Sequence, residues 1–221
     1  MSNKPIQPER PDRRGVMFVV SSPSGAGKTT LTRRMLKEMN GVELSISATT
    51  REMRPDEKDG VHYYFKTREE FERLIEEDEL LEWAEVFGNY YGTPRGEVER
   101  LQRKGTDVLF DVDWQGARVL KQVMPGDVVS VFILPPSISE LKSRLEGRPG
   151  ANPDAVMQRL SGAGRDIKRW GEYDFVIIND DIEIAYDELC AILVTERLDR
   201  RKPSQGARVD KLLDDAEALE S

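Results

Sequence analysis

The residues best suited to chemistry lie in one short stretch near the start of the chain, SSPSGAGKTT (21–30). Its small residues let the backbone curl with several N–H groups pointing inward, toward an anion. Lys28 adds a cation that can reach the outer phosphates of a nucleotide, and the hydroxyl of Thr29 or Thr30 can bind Mg²⁺. The apolar VMFVV before the stretch favours a buried strand, and residues 28–39 have helical spacing. Strand, loop and helix in this order predict a phosphate-binding loop.

One position of this loop is unusual, because Ser22 stands where such loops commonly begin with glycine. Serine and proline are frequent turn residues, so we expect Ser22, Pro23 and Ser24 to alter the loop geometry rather than its chemistry. The alternative is a glycine-rich turn without a ligand. The GKT element between a strand and a helix favours the phosphate site.

Two acids end an apolar run in VLFDVDWQG (108–116). In a nucleotide-binding sheet, an acid at the end of a core strand can hold Mg²⁺ through its waters, and Asp111 is the candidate. Asp113 shares a face with Asp111 if the strand continues that far. A strand that simply enters an acidic turn is the alternative.

Arginines and tyrosines suited to a second phosphate follow the first helix. Arg51 and Arg54, in SISATTREMRP, offer two guanidinium forks for a dianionic phosphate, although most arginines of proteins are merely solvated. The hydroxyls of Tyr63 and Tyr91 can donate to the same group. Each has a tyrosine neighbour, and neighbours on a strand face opposite sides. We therefore expect at least one tyrosine of each adjacent pair to be structural.

Glu82 lies in apolar company, between Leu81 and Trp83. A carboxylate there needs a partner. Once ionised, it accepts two hydrogen bonds side by side, which matches the N1–H and 2-amino donors of guanine and does not match adenine. A surface salt bridge is the alternative for Glu82.

An arginine-rich stretch between residues 141 and 170 is interrupted by glycines and prolines. It contains Arg144, Arg148 and Arg159. A mobile flap that places arginines over a migrating phosphoryl group would stabilise its charge and exclude water. A solvated helical face is the alternative.

Composition limits the classes of function. The chain has 221 residues, a net charge of −8 and a single cysteine, Cys190. The negative charge argues against nucleic-acid binding as the main role, and one cysteine cannot form an internal disulfide. No apolar run predicts a membrane span or a signal peptide. We expect a cytoplasmic protein without a nucleic-acid or membrane partner.

The elements alternate as in an α/β protein with a parallel sheet covered by helices. The predicted strands are 16–20, 42–47, 61–65, 107–113, 128–134 and 174–179. The predicted helices are 28–39, 68–78, 95–104, 115–123, 137–145, 153–169 and 183–197. Residues 46–97, rich in Tyr, Arg, Glu and Gly, indicate an inserted lobe. Residues 1–14 are expected to be a disordered arm, and 199–221 a charged tail, with a loose linker before a possible short terminal helix.

Seven motifs in this order, from SSPSGAGKTT through LLEWAEVFGNYYGT and DVLFDVDWQGA to VIINDD, resemble those of bacterial guanylate kinases over about residues 15–196. The resemblance implies an α/β fold, with a P-loop NTPase parallel sheet core, an inserted mixed α/β GMP-binding lobe and a helical lid at about 144–165. The family-like domain would cover 15–198. It implies transfer of the γ-phosphoryl group of ATP to GMP with Mg²⁺, in guanine nucleotide salvage.

The resemblance also assigns residues. It implies an ATP site of Ser22, Pro23, Ser24, Gly25, Ala26, Gly27, Lys28, Thr29, Thr30 and Asn179. It implies a GMP site of Ser47, Arg51, Arg54, Tyr63, Glu82, Tyr91, Gly92, Thr93 and Asp113. The implied catalytic residues are Lys28, Arg51, Arg144, Arg148 and Arg159. Mg²⁺ would be bound directly by Thr29 and through water by Asp111. A phosphate oxygen is already a nucleophile, so the single histidine, His62, is expected to be structural.

Two other functions were weighed. A guanylate-kinase-like module that only binds a partner would not need Lys28, Asp111 and the lid arginines. A related kinase with another acceptor would not need Glu82 and Ser47. The sequence leaves open whether dGMP is accepted and whether the protein is a monomer or a homo-oligomer.

Overall fold

The structure is a computed structural model that describes residues 13–86, 88–147, 151–199 and 203–220. Arg148 of the predicted lid and most of the predicted N-terminal arm lie outside these ranges. In chain order the elements are β1 (Met17–Ser21), α1 (Lys28–Glu38), β2 (Val42–Leu44), β3 (Ala48–Thr49), β4 (Tyr64–Phe65), α2 (Arg68–Glu76), β5 (Leu80–Val86), β6 (Asn89–Pro94), α3 (Arg95–Arg103), β7 (Asp107–Asp111), α4 (Trp114–Val123), β8 (Val128–Leu134), α5 (Ile138–Glu146), α6 (Pro153–Ile167), β9 (Phe175–Ile178), α7 (Ile182–Glu196) and α8 (Pro203–Glu220), with a 3-10 turn at Trp170–Glu172.

The core is a five-stranded parallel sheet in the order β2-β7-β1-β8-β9. All five residues of β1 are buried, since helices cover both faces of the central strands. Phe18 packs with the apolar residues of α1 and α7 on one face, and Val19 packs with those of α3 and α4 on the other. The predicted parallel sheet covered by helices is confirmed.

A second sheet, in the order β4-β3-β6-β5, is built from residues 48–94, within the predicted inserted lobe. Its hairpin of β5 and β6 is antiparallel, pairing Glu82 with Thr93 and Trp83 with Gly92. The sequence patterns did not assign this hairpin. Leu81 packs into the core cluster that contains Phe110, so the hairpin is joined to the main sheet.

Two of the predicted strands are shorter than expected by three residues each. The strand predicted over 42–47 leaves the core sheet after Ser45, whose N–H donates to the carbonyl of Leu109 at 2.8 Å. The strand predicted over 61–65 is a turn until Tyr64, because Gly60 has a φ of +70° and His62 Nδ1 accepts from the Lys58 N–H at 3.0 Å. That bond gives His62 a structural role.

The ends of the chain also differ from the sequence-based boundaries. Arg13, expected in the disordered arm, is buried and donates from Nη2 to Asp107 Oδ2 at 2.8 Å. Arg197 Nε donates to the same oxygen at 2.6 Å, so Asp107 ties both ends of the domain together. The stretch after 199, expected to begin as a loose linker, is helical from Pro203. Among the described residues, no helix is both long and apolar enough to cross a bilayer.

Candidate active site

The predicted phosphate-binding loop connects β1 to α1 and borders a cleft of about 900 Å³. Gly25 and Gly27 have φ angles of +102° and +104°, which only glycine adopts without strain. A Cβ on Gly27 would also lie 2.2 Å from Asn179 Nδ2. The cleft is lined by Ser22, Pro23, Ser24, Gly25, Gly27, Lys28, Thr29, Thr30, Arg144, Asp166, Asn179, Asp180, Asp181 and Ile182.

Asn179 holds the backbone of this loop in place through a hydrogen bond. Its side chain is 2% exposed, and Nδ2 donates to the Ala26 carbonyl at 2.7 Å. The Asn179 carbonyl in turn accepts from Arg144 Nη2 at 3.1 Å. Ala26 is itself fully buried, so of the ten residues predicted for ATP it is the one absent from the cleft lining. The predicted contact of Asn179 near adenine stays a prediction.

Lys28, at the first position of α1, forms an ion pair with Asp111 at the end of β7. Burial lowers the pKa of Lys28 to about 8, and the negative charge of Asp113 acts in the opposite direction. At pH 7 most of the ammonium is therefore still charged. The loop thus carries a cation that a nucleotide phosphate can take over from Asp111.

Oxygen donors suited to Mg²⁺ lie at the same place. Thr29 lines the cleft and is exposed, and Asp111 is exposed at the end of its strand. Within the described residues, no group of three His, Cys, Asp or Glu side chains could hold a metal by itself. Mg²⁺ commonly takes only one or two protein ligands and completes its shell with substrate phosphates and water. The residues present therefore fit a metal that arrives with a nucleotide.

The strand predicted over 107–113 ends at Asp111, so Asp113 does not share a strand face with Asp111. Asp113 is instead the N-cap of α4, and its Oδ1 accepts from the N–H groups of Gln115 at 3.0 Å and Gly116 at 3.1 Å. Gln115 Nε2 lies 3.3 Å from Oδ2, a long contact. One carboxylate oxygen thus fixes the helix start, and the other accepts only this longer bond from Gln115 among the described contacts.

On the second sheet, Glu82 and Thr93 face one another across β5 and β6. Thr93 Oγ1 donates to Glu82 Oε1 at 2.6 Å. Burial raises the pKa of Glu82, and the charge of Asp113 raises it further. Gly92, which precedes Thr93 on β6, has no room for a Cβ. Such an atom would lie 2.9 Å from the Glu82 carbonyl oxygen. Ser47 is half-buried just before β3.

The predicted anion site is organised by Glu57, an acid that the sequence analysis missed. Glu57 Oε1 accepts from Arg51 Nη2 at 2.7 Å, and its Oε2 accepts from the Arg54 N–H at 2.8 Å. These bonds lower the pKa of Glu57 to about 2. The Arg51 guanidinium lies 5.4 Å from the centre of the Tyr63 ring, which meets Tyr91 edge-on at 6.1 Å. The signal for this role was a single acid placed six residues after Arg51 and three after Arg54.

The lid residues divide between two helices. Arg144 on α5 lines the cleft and donates to Glu140 Oε1 at 2.8 Å. Arg159 on α6 is exposed and has no ion pair within the described part of the chain. Asp166, also on α6, lines the cleft, and the sequence analysis missed it. Burial and the charge of Asp113 raise its pKa.

The negative charge of Asp113 shifts the pKa of groups from different parts of the molecule, among them Lys28 of the loop, Glu82 of the second sheet and Asp166 of the lid helix. Leu81, next to Glu82, packs with Phe110, next to Asp111, so the second sheet meets the core sheet near the end of β7. The arrangement can hold a polyphosphate on the loop, a second phosphate near Arg51, and a ring with paired donors between Glu82 and Asp113.

This chain is similar to known proteins in both sequence and fold. A sequence model of the guanylate kinase family matches residues 14–196. The guanylate kinase of Hyphomonas neptunium is 57% identical over 90% of this chain and 92% of its own length. The guanylate kinase of Rhizobium meliloti is 49% identical over 94% of this chain and 95% of its own. The crystal structure of guanylate kinase from Anaplasma phagocytophilum is 40% identical, covers 86% of this chain and 90% of its own, and superposes with a TM-score of 0.66.

Proposed function

Since this chain belongs to the guanylate kinase family, and so phosphorylates GMP with ATP, we propose that the two-lobed cleft is the site of that transfer. The observation that carries the proposal is the meeting of the two sheets near the end of β7, where Lys28 pairs with Asp111 and Leu81, next to Glu82, packs with Phe110. ATP binds on the loop and GMP binds against the second sheet, so the two phosphates meet between the lobes.

On the donor side, the N–H groups of the loop and the first turn of α1 bind the phosphates, aided by the helix dipole. Lys28 exchanges its ion pair with Asp111 for one with the outer phosphates. Thr29 and Asp111 would hold Mg²⁺, directly and through water. When bound, Mg²⁺ neutralises charge on the phosphates of ATP.

On the acceptor side, Glu82 accepts hydrogen bonds from guanine N1–H and the 2-amino group, and Oδ2 of Asp113 accepts a further bond from the 2-amino group. Thr93 keeps Glu82 oriented through its 2.6 Å bond. Arg51 and Arg54 hold the GMP phosphate, for which Arg51 gives up its bond to Glu57. Tyr63 and Tyr91 complete this end of the site.

Transfer needs positioning and charge stabilisation and no general base, because the GMP phosphate oxygen is itself the nucleophile. Arg144 and Arg159 lie on the lid helices, from which they can stabilise the migrating group. We infer that the reaction recycles GMP into guanine nucleotides in the cytoplasm.

The variant Lys28→Ala tests the donor side. We expect it to fold, to bind GMP as the wild type does, and to lose at least about 100-fold in kcat, since one preorganised transition-state contact contributes about that much. Arg68→Ala, an exposed arginine on α2, is the control and should keep full activity. Near-normal turnover by Lys28→Ala would contradict the proposed role of the loop in phosphoryl transfer.

A further inference from the structure

Four side chains at the base of the lid form a cluster that the proposed reaction does not use. We call Trp114, Arg118, Arg169 and Glu172 the lid-base cluster. Trp114 and Arg118 belong to α4, whereas Arg169 and Glu172 follow the lid helix α6. None of the four lines the donor cleft.

The contacts within the lid-base cluster are directional. Arg118 donates from Nη2 to Glu172 Oε1 at 2.8 Å and from Nε to Oε2 at 3.2 Å, a two-pronged pair. Arg169 Nη1 donates to Glu172 Oε1 at 3.1 Å. The guanidinium carbons of Arg118 and Arg169 lie 5.0 and 4.5 Å from the centre of the Trp114 ring, within cation–π range.

These contacts orient the lid base on α4 more than they stabilise the folded protein. The side chains of Arg118 and Glu172 are 43% and 36% exposed, and ion pairs at such sites contribute little to the free energy of folding. A small cavity of about 220 Å³ borders Trp114, so the ring is not locked by dense packing on every side. A two-pronged ion pair and a ring contact nevertheless set the direction in which one element lies on another.

The place of the lid-base cluster in the chain connects two functional parts. Trp114 directly follows Asp113, the N-cap of α4 and a residue of the proposed guanine site. Arg169 comes two residues after the end of α6, which carries Arg159 and Asp166. A lid that rotates about its base moves Arg169 and Glu172, and their contacts pass the movement to Trp114. Conversely, a ligand on Asp113 biases α4 and thereby the lid base.

We propose that Trp114 is a positioning residue that couples GMP bound at Asp113 to closure of the lid over ATP. The inference rests on the proposed function, since it requires GMP at Asp113. Coupling between two ligands is reciprocal, so GMP must tighten ATP binding by the same factor as ATP tightens GMP binding. Trp114 belongs to neither proposed ligand site, so its loss should reduce the coupling and leave each separate affinity in place.

The experiment is isothermal titration of the full-length protein with a non-hydrolysable ATP analogue and Mg²⁺, without GMP and with saturating GMP. The ratio of the two Kd values is the coupling factor. It is measured for the wild type and for Trp114→Ala, Trp114→Phe and Trp170→Ala. Phenylalanine keeps a ring for the guanidinium groups, and Trp170 is an exposed tryptophan at the same lid base, outside the lid-base cluster.

We expect a wild-type factor of about fivefold or more, in the usual range for coupled sites. It should fall to within about twofold of one in Trp114→Ala and stay near the wild-type value in Trp114→Phe and Trp170→Ala. GMP affinity without the analogue should be equal in all four proteins. A wild-type factor of one, or a factor unchanged in Trp114→Ala, overturns the inference while GMP is still phosphorylated. Absence of GMP binding and turnover in the wild type overturns the proposed function instead.

Discussion

At the scale of single residues, the carboxyl of Glu82 is positioned for guanine in surroundings that disfavour its ionised form. Its carboxyl is half-buried, hydrogen-bonded by Thr93, and subject to the negative charge of Asp113. Burial disfavours the ionised form, so its pKa is raised. Two donors from guanine would supply the missing stabilisation. Discrimination against a base without those donors follows, because the carboxylate would then stay unpaired.

The substitution Glu82→Gln tests this discrimination. Glutamine keeps the shape and one acceptor but places an amide donor where guanine also donates, so we expect kcat/KM for GMP to fall by at least about 100-fold, with the Kd for ATP unchanged. Glu85→Gln, an exposed glutamate on the same strand, is the matched control and should behave as the wild type. Steady-state kinetics with GMP compare the two variants. Unchanged kinetics in Glu82→Gln would contradict the assignment of Glu82 to guanine.

The same substitution should stabilise the protein without ligands. A glutamate whose folded-state pKa is raised destabilises the folded state at neutral pH, and this cost disappears as pH falls through that pKa. We expect Glu82→Gln to raise the free energy of unfolding at neutral pH. The gain should shrink toward about pH 4. Urea denaturation of both proteins across this range measures it, and a gain that grows on acidification would reverse the sign of the argument.

At the scale of elements, the loop between β1 and α1 depends on glycine for two reasons. Gly27 has a positive φ, and any Cβ there would collide with the Asn179 side chain. That side chain donates from Nδ2 to the Ala26 carbonyl at 2.7 Å. We expect Gly27→Ala to displace Asn179 and to weaken ATP binding at least tenfold, by about 1.4 kcal/mol. Titration with the ATP analogue measures this loss.

Gly96→Ala is the control for that loss, because Gly96 lies on α3 with open space around its Cβ position. Alanine is a better helix former than glycine by about 0.8–1.0 kcal/mol, so this variant should bind ATP normally and unfold no earlier than the wild type. Equal affinities in the two alanine variants would show that the loop tolerates a side chain at Gly27.

The elements also differ in how well they could be predicted from the sequence. The core strands are short continuous apolar runs and the helices have a period of 3.6 residues, and the structure agrees with both to within a few residues. The hairpin of β5 and β6 was missed because its pairing joins residues such as Glu82 and Thr93 across a turn, which no local period encodes. Asp113 was misplaced for a related reason. Whether a strand continues or a helix begins at Asp113 depends on N–H partners three residues ahead.

The candidate site was predicted most completely where a local motif carries it. The phosphate-binding loop is one continuous stretch, whereas Glu57 and Asp166 gain their roles only through folding. Glu57 organises Arg51 from six residues away, and Asp166 reaches the donor cleft from the lid helix. A single sequence shows such acids as ordinary surface charges.

At the scale of the whole molecule, one buried acid joins the two ends of the domain. Asp107 at the start of β7 is fully buried and accepts bonds from Arg13, Arg197 and the Val16 N–H. Removing one partner of such a network leaves uncompensated buried charge. This network also explains why the ordered domain begins before its predicted boundary.

We therefore expect Asp107→Ala to destabilise the protein by about 3–5 kcal/mol. For a chain of this size each kcal/mol lowers Tm by about 2–4 °C. Asp127→Ala removes a partly exposed partner of Arg14 and should cost less than about 1 kcal/mol. Thermal unfolding compares the two variants. Equal losses would mean that Asp107 is no more important than a surface charge.

The most direct test of the account is product analysis of the purified protein with ATP and Mg²⁺, offered GMP, dGMP, AMP, UMP, CMP and TMP separately. The account predicts ADP and GDP in equal amounts with GMP and almost no product with AMP, because only guanine offers the donor pair that Glu82 accepts. The result with dGMP then answers a question that the sequence left open. Comparable turnover with AMP, or none with GMP from a folded protein, would contradict the central claim.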